Sequence, residues 1–172
     1  MATYIALLRA INVGGTGKLP MARLKVLCEQ LGFTQVRTVI ASGNVILASR
    51  LRAAQVQARL EAALHAEMGK PVGVLLRTAD ELRAVLAAQP FAGRDAARCV
   101  VIFLPCPVPA DAQGLVRGRT DEQVEWGQRE LYVHYPGGQG ASKLRIPAAA
   151  AGTARNLNTV ARLVALASEM RA

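Results

Sequence analysis

Over the first ninety residues, strand-like and helix-like apolar patterns succeed one another in an order that few folds accommodate. Thr3–Leu8 is nearly continuously apolar, as expected of a strand covered on both faces. Met21, Leu24, Leu27, Cys28 and Leu31 recur at helical spacing, and Gly32 follows as the C′ residue, with Phe33 placed to pack back on the last turn. Gln35–Ile40 and Val45–Ala48 read as two strands. The turn between them, Ser42-Gly43-Asn44, holds the residue types that adopt positive φ most easily, so the pair predicts a hairpin. Ala53–Met68 carries Val56, Leu60, Leu64 and Met68 every four residues and stops at Gly69. Pro71–Arg77 is a further strand. Thr78-Ala79-Asp80-Glu81 then forms a capping box that starts a short helix with Leu82, Val85 and Leu86. The order β-α-β-β-α-β is that of a ferredoxin-like half: an antiparallel sheet with two helices on one face.

The remainder reads as a related half. Phe91–Arg98 is the linker between them. Cys99–Leu104 is a strand, and Pro105, Pro107 and Pro109 force an extended segment after it. Ala110–Arg117 reads as a short helix capped near Asp111. Gln123–Gly127 and Glu130–Tyr135 pair across Gln128-Arg129 as a hairpin. Pro136–Gly140 is a glycine-rich loop. Pro147 at N1 and Gly152 at C′ bracket an alanine-rich helix, and Asn156–Ala167 is the last helix. The fold class is therefore α+β: two ferredoxin-like β-α-β-β-α halves with antiparallel sheets and a C-terminal helix. The division is 1–90 and 91–172, a pattern that points to structural duplication.

A chain of 172 residues with 52% apolar residues can bury a core without staples. No apolar stretch approaches 18 residues, and Arg9 interrupts the N-terminal apolar run, so neither a membrane span nor a signal peptide is expected. Cys28, Cys99 and Cys106 lack metal or disulfide spacing, which points to a reducing cytoplasm, no metal and no cofactor. The net charge of +9 favours acidic partners.

Two polar turns stand out against this background. Arg9-Ala10-Ile11-Asn12-Val13-Gly14-Gly15 follows the first strand and leads, through Lys18, into the first helix. Glycines let backbone N–H groups approach a ligand, a helix N-terminus favours anions, and arginine offers a planar fork for phosphate or carboxylate. In a ferredoxin-like sheet the first and third strands are antiparallel, so the end of the first meets the start of the third. That pairing places Ser42, Gly43 and Asn44 beside Arg9 as part of one anion site. The loop lacks the glycine spacing of a dinucleotide or Walker fingerprint.

The stretch Leu8–Gly15, with Met21, Leu24, Leu31-Gly32-Phe33 and Val36–Val45, resembles a bacterial family of uncharacterised proteins, the domain-of-unknown-function family sixteen-ninety-seven. Tyr135-Pro136, Ser142-Lys143-Leu144 and Thr153–Thr159 continue the resemblance. It implies paired ferredoxin-like halves and brings no established activity. It also gathers one polar set: Arg9, Asn12, Gly14, Gly15, Lys18, Ser42, Gly43, Asn44, Ser142, Lys143, Arg155, Asn156 and Asn158, with Arg155 and Asn156 closing the site. Every charged member is basic, the inventory of an anion receptor.

The expected function is binding of a phosphate-bearing small ligand such as a nucleotide. Whether a reaction follows is left open, because no carboxylate falls in the polar set and Ser42 lacks a base. His134, beside the Pro136–Gly140 loop, is the one candidate proton carrier. Nucleic-acid backbone binding is the alternative that the charge favours, although aromatics at 4% do not supply a stacking face. A docking module or a homo-oligomer formed through sheet edges is the third reading.

Overall fold

A computed structural model describes residues 1–9, 19–39 and 43–170. Chain contacts divide these into two compact units. The first comprises Met1–Arg83 with the C-terminal stretch from Arg162, and the second comprises Ala84–Ala161.

In the first unit the strands are β1 (Ala2–Leu8), β2 (Thr34–Val39), β3 (Asn44–Ser49) and β4 (Val74–Thr78), and the helices between them are α1 (Met21–Gln30) and α2 (Ala53–Met68). The sheet order is β2-β3-β1-β4, and each neighbouring pair is antiparallel. This is the ferredoxin-like order expected from the sequence. Tyr4, Ala6, Leu8, Val45, Leu47, Val74 and Leu76 pack with Leu24, Leu27, Cys28, Val56, Leu60 and Leu64 of the two helices in one core. The alternate residues Ile5, Leu7, Ile46 and Leu75 are buried as well, so both sheet faces are covered. That is why β1 reads as an unbroken apolar run rather than an alternating one.

The local signals act as their chemistry dictates. Gly32 has φ +88°, and the Phe33 and Gly32 N–H groups donate to the Cys28 and Glu29 carbonyls at 3.2 and 3.0 Å. This is a Schellman ending, with Phe33 buried against the core. Gly69 ends α2 at φ +71°. The β2–β3 pair is the expected hairpin, with Val39 opposite Asn44 and Gly43 at φ +78°.

The Thr78 backbone N–H donates to Glu81 Oε1 at 2.9 Å, and the Glu81 N–H donates to the Thr78 hydroxyl at 3.1 Å. This reciprocal pair opens α3 (Ala79–Ala87). Thr78→Ala is expected to cost about 1 kcal/mol in urea unfolding, the ordinary worth of such a cap. An unchanged midpoint would show that the box adds nothing here.

The second unit holds β5 (Cys99–Phe103), β6 (Gln123–Trp126), β7 (Glu130–His134) and β8 (Thr153–Asn156), in the order β6-β7-β5-β8, again antiparallel throughout. Numbered within the unit, its strands stand in the same positions as those of the first. Helix α4 (Leu157–Glu169) follows β8.

Three expectations are corrected here. Ala110–Arg117 is not an α-helix but a 3-10 turn over Ala112–Leu115, since Gly114 in its middle and Gly118 (φ +70°) after it do not sustain a helix. Pro147–Ala151 is likewise a 3-10 turn, and Gly152 stands at φ −94° rather than as a left-handed cap. Gly152 is there for close approach: a Cβ on it would lie 2.5 Å from the Phe103 carbonyl oxygen. Finally, Thr153–Asn156 is a strand, with Val101 opposite Arg155 and Phe103 opposite Thr153.

From Arg162 onward α4 is grouped with the first unit, where Leu163 and Ala167 are buried. Glu169 of this stretch meets Arg37 of β2 at 2.9 Å. Among the described residues no helix is long and apolar enough to cross a membrane.

Candidate functional site

The polar set falls into two groups, one in each unit. In the first unit, antiparallel pairing carries Leu7 opposite Asn44. The Leu8 N–H donates to the Gly43 carbonyl at 2.8 Å, and the next amide, that of Arg9, donates to the Gly73 carbonyl at 2.9 Å. Arg9 thus leaves the sheet flanked by the glycines Gly43 and Gly73. Its side chain lies over Gly73, where an added Cβ would stand 3.1 Å from Arg9 Cδ. Asn44 is wholly buried at the head of β3, and its amide Nδ2 donates to the Val39 carbonyl at 3.4 Å. It therefore ties the hairpin together at this end of the sheet. Asn12, Gly14, Gly15, Lys18 and Ser42 lie outside the described residues.

In the second unit the residues separate by role. The Asn156 Oδ1 accepts the Thr159 N–H at 2.9 Å, which makes Asn156 the N-cap of α4. Asn158 is exposed one turn position further on. The half-buried Arg155 donates from its guanidinium to Thr153 Oγ1 at 2.7 Å and to the Ala154 carbonyl at 2.8 Å. Burial pushes its pKa down to about 10.

Ser142 and Lys143 belong to a different feature, a cleft of about 550 Å³ between the 118–122 segment and the 135–143 loop. Its walls include Arg119, Asp121, Glu122 and Tyr135. The expectation that no carboxylate joins the polar set is overturned here. Glu122, almost entirely buried, accepts the Ser142 hydroxyl in a very short hydrogen bond, the Thr120 N–H at 2.7 Å and the Thr120 hydroxyl at 3.3 Å. These bonds, that of Ser142 foremost, hold its pKa down to about 2. The Ser142 oxygen in turn accepts the Leu144 N–H at 3.1 Å. Gly118 lets the two walls close, because any Cβ there would collide with the Lys143 carbonyl.

His134 does not show the loop contact expected of it. Its ring is buried, 5.7 Å from the Phe91 ring between centroids, and its Nδ1 stands 3.5 Å from Arg94. It alternates with Tyr135, so the two side chains leave the strand on opposite faces. Cys28 is buried, and its thiol is pushed up to about 12, chiefly by burial, which leaves it unreactive. Among the described residues no group of His, Cys, Asp and Glu could hold a metal ion.

Sequence reasoning missed Arg119, Glu122 and Tyr135 as neighbours of Ser142. The Thr120-Asp121-Glu122 turn is visible in the sequence, but nothing in it names a partner twenty residues away.

The molecule is thus an α+β protein with two four-stranded antiparallel sheets and a C-terminal helix. The chain belongs to the family described as "Protein of unknown function (DUF1697)", whose model matches residues 1–132. Among solved structures it is similar to the conserved bacterial protein SP0830 from Streptococcus pneumoniae. That likeness has 25% identity and a TM-score of 0.80, and it covers 96% of this chain and 98% of that one. Comparison with curated proteins gives no match.

Proposed function

We propose that the chain binds a phosphate-bearing small anion, such as a nucleotide, where Arg9 leaves the first sheet. The observation that carries this reading is the pair of consecutive amide bonds, Leu8 to Gly43 and Arg9 to Gly73. They fix the backbone of Arg9 between Gly43 and Gly73, two residues that carry no side chain. A guanidinium held at its root loses less freedom on gripping a phosphate than one on a free loop, and its planar fork suits that group. Asn44 serves the site from within, by holding the turn that presents Gly43. The net charge of +9 adds a long-range attraction for anions. The free cysteines Cys28, Cys99 and Cys106 fit a reducing, cytoplasmic setting. The common strand order of the two units supports descent by duplication.

The test is titration calorimetry with a series of nucleotides and inorganic phosphate. At least one is expected to bind, and Arg9→Ala is expected to weaken it about tenfold or more, the worth of a charge-assisted contact. Equal affinity in the variant would remove Arg9 from the site. Nucleic-acid backbone binding, which the same positive charge favours, is distinguished by a steep loss of affinity for an oligonucleotide as salt rises.

A further inference from the structure

The cleft of the second unit has a construction of its own. Tyr135 lines it and is only 6% exposed, yet its hydroxyl makes no hydrogen bond among the described residues. With no partner among the described residues, that hydroxyl is left to bond water or whatever ligand fills the cleft. Burial and then the charge of Glu122 raise its pKa, so it stays protonated and able to donate.

The charged groups around it are held from behind. Arg119 is anchored through Nε to the Glu122 carbonyl at 2.8 Å, leaving its terminal nitrogens for other bonds. Asp121 is oriented by the Thr120 hydroxyl at 3.2 Å. Lys143 is exposed at the opposite lip, and its ammonium has no partner among the described residues. The lining therefore carries two cations, Arg119 and Lys143, against two carboxylates, Asp121 and Glu122. A phosphate dianion gains little from walls whose charges cancel. A molecule that is itself neutral overall but carries a full charge at each end gains from both. The volume of about 550 Å³ lies in the ordinary range for a small-molecule site.

We propose that this cleft binds a zwitterionic small molecule of the α-amino-acid class. Arg119 and Lys143 take its carboxylate, Asp121 takes its ammonium, and the Tyr135 hydroxyl bonds to it at depth. Glu122 and Ser142 position the two walls and do not need to touch the ligand. The site stands apart from the reading of Arg9, because every residue it uses belongs to the second unit.

The twenty proteinogenic L-amino acids, each added singly to the full chain, test it by calorimetry and melting temperature. At least one is expected to bind and raise the melting temperature. Its N-acetyl form and its carboxamide, each lacking one charge, are expected to bind about tenfold more weakly. Lys143→Ala is expected to lower affinity about tenfold, and Tyr135→Phe about fivefold, with the ligand-free melting temperature of Tyr135→Phe close to that of the parent because the ring is kept. The proposal is overturned if no amino acid binds. It is equally overturned if the blocked forms bind as well as the parent compound, or if inorganic phosphate displaces the bound amino acid, which would make the cleft a plain anion receptor.

Discussion

Phe103→Ala is expected to destabilise the second unit by about 3–5 kcal/mol, the cost of deleting a buried aromatic side chain whose site cannot collapse. Phe103 is fully buried on β5, the strand that β7 and β8 flank on either side. It stands opposite Glu130 on one neighbour and Thr153 on the other, so both backbones hold the void open. The approach of Gly152 to the Phe103 carbonyl leaves β8 no room to slide inward. Urea unfolding followed by Trp126 fluorescence, from a β6 residue of the same unit, measures the change. A loss below about 1 kcal/mol would mean that the site relaxes in spite of this framing.

Glu122 governs the second large effect, which appears with pH. Its carboxyl has a pKa of about 2 in the folded chain against an ordinary 4.5. A depressed folded value means that the unfolded chain takes up the proton first. The stabilisation is therefore complete above about pH 4.5 and disappears as pH falls towards 2. Glu122→Gln is expected to be less stable than the parent at neutral pH. The difference between the two proteins should shrink steadily through that acid window. Ser142→Ala, which removes the foremost of the bonds responsible, should show the same convergence in weaker form. Parallel stability curves for Glu122→Gln and parent from pH 5 to 2 would refute the assignment.

Legibility differed between the two units for physical reasons. In the first, the signals are local or follow from periodicity. The Gly32 and Gly69 endings, the Thr78–Glu81 box and the α2 stripe each depend on residues within a few positions of one another. Even the meeting of Leu7 with Asn44 was within reach, since it follows from antiparallel pairing of the first and third strands. In the second unit the crossovers are 3-10 turns, whose short repeats leave little periodic trace. Strand β8 is only Thr-Ala-Arg-Asn, and its half-buried residues show no alternation. In the sequence Asn156 stands as a ligand group although it caps α4, because a cap and a binding amide look alike until the helix start is known.

Local sequence signals specify which segments become strands and helices in the first unit, where most of them stop, and that an arginine stands at the end of the first strand. Those outcomes follow from side-chain periodicity and backbone preference, which act over a turn or a strand. Long-range packing, by contrast, is what brings Glu122 to Ser142, sets Tyr135 and Lys143 in one cleft with Arg119, and groups the last turns of α4 with the first unit. Each of these joins residues far apart in the chain through loop paths that no local preference fixes, so the contact exists only once the sheets have formed.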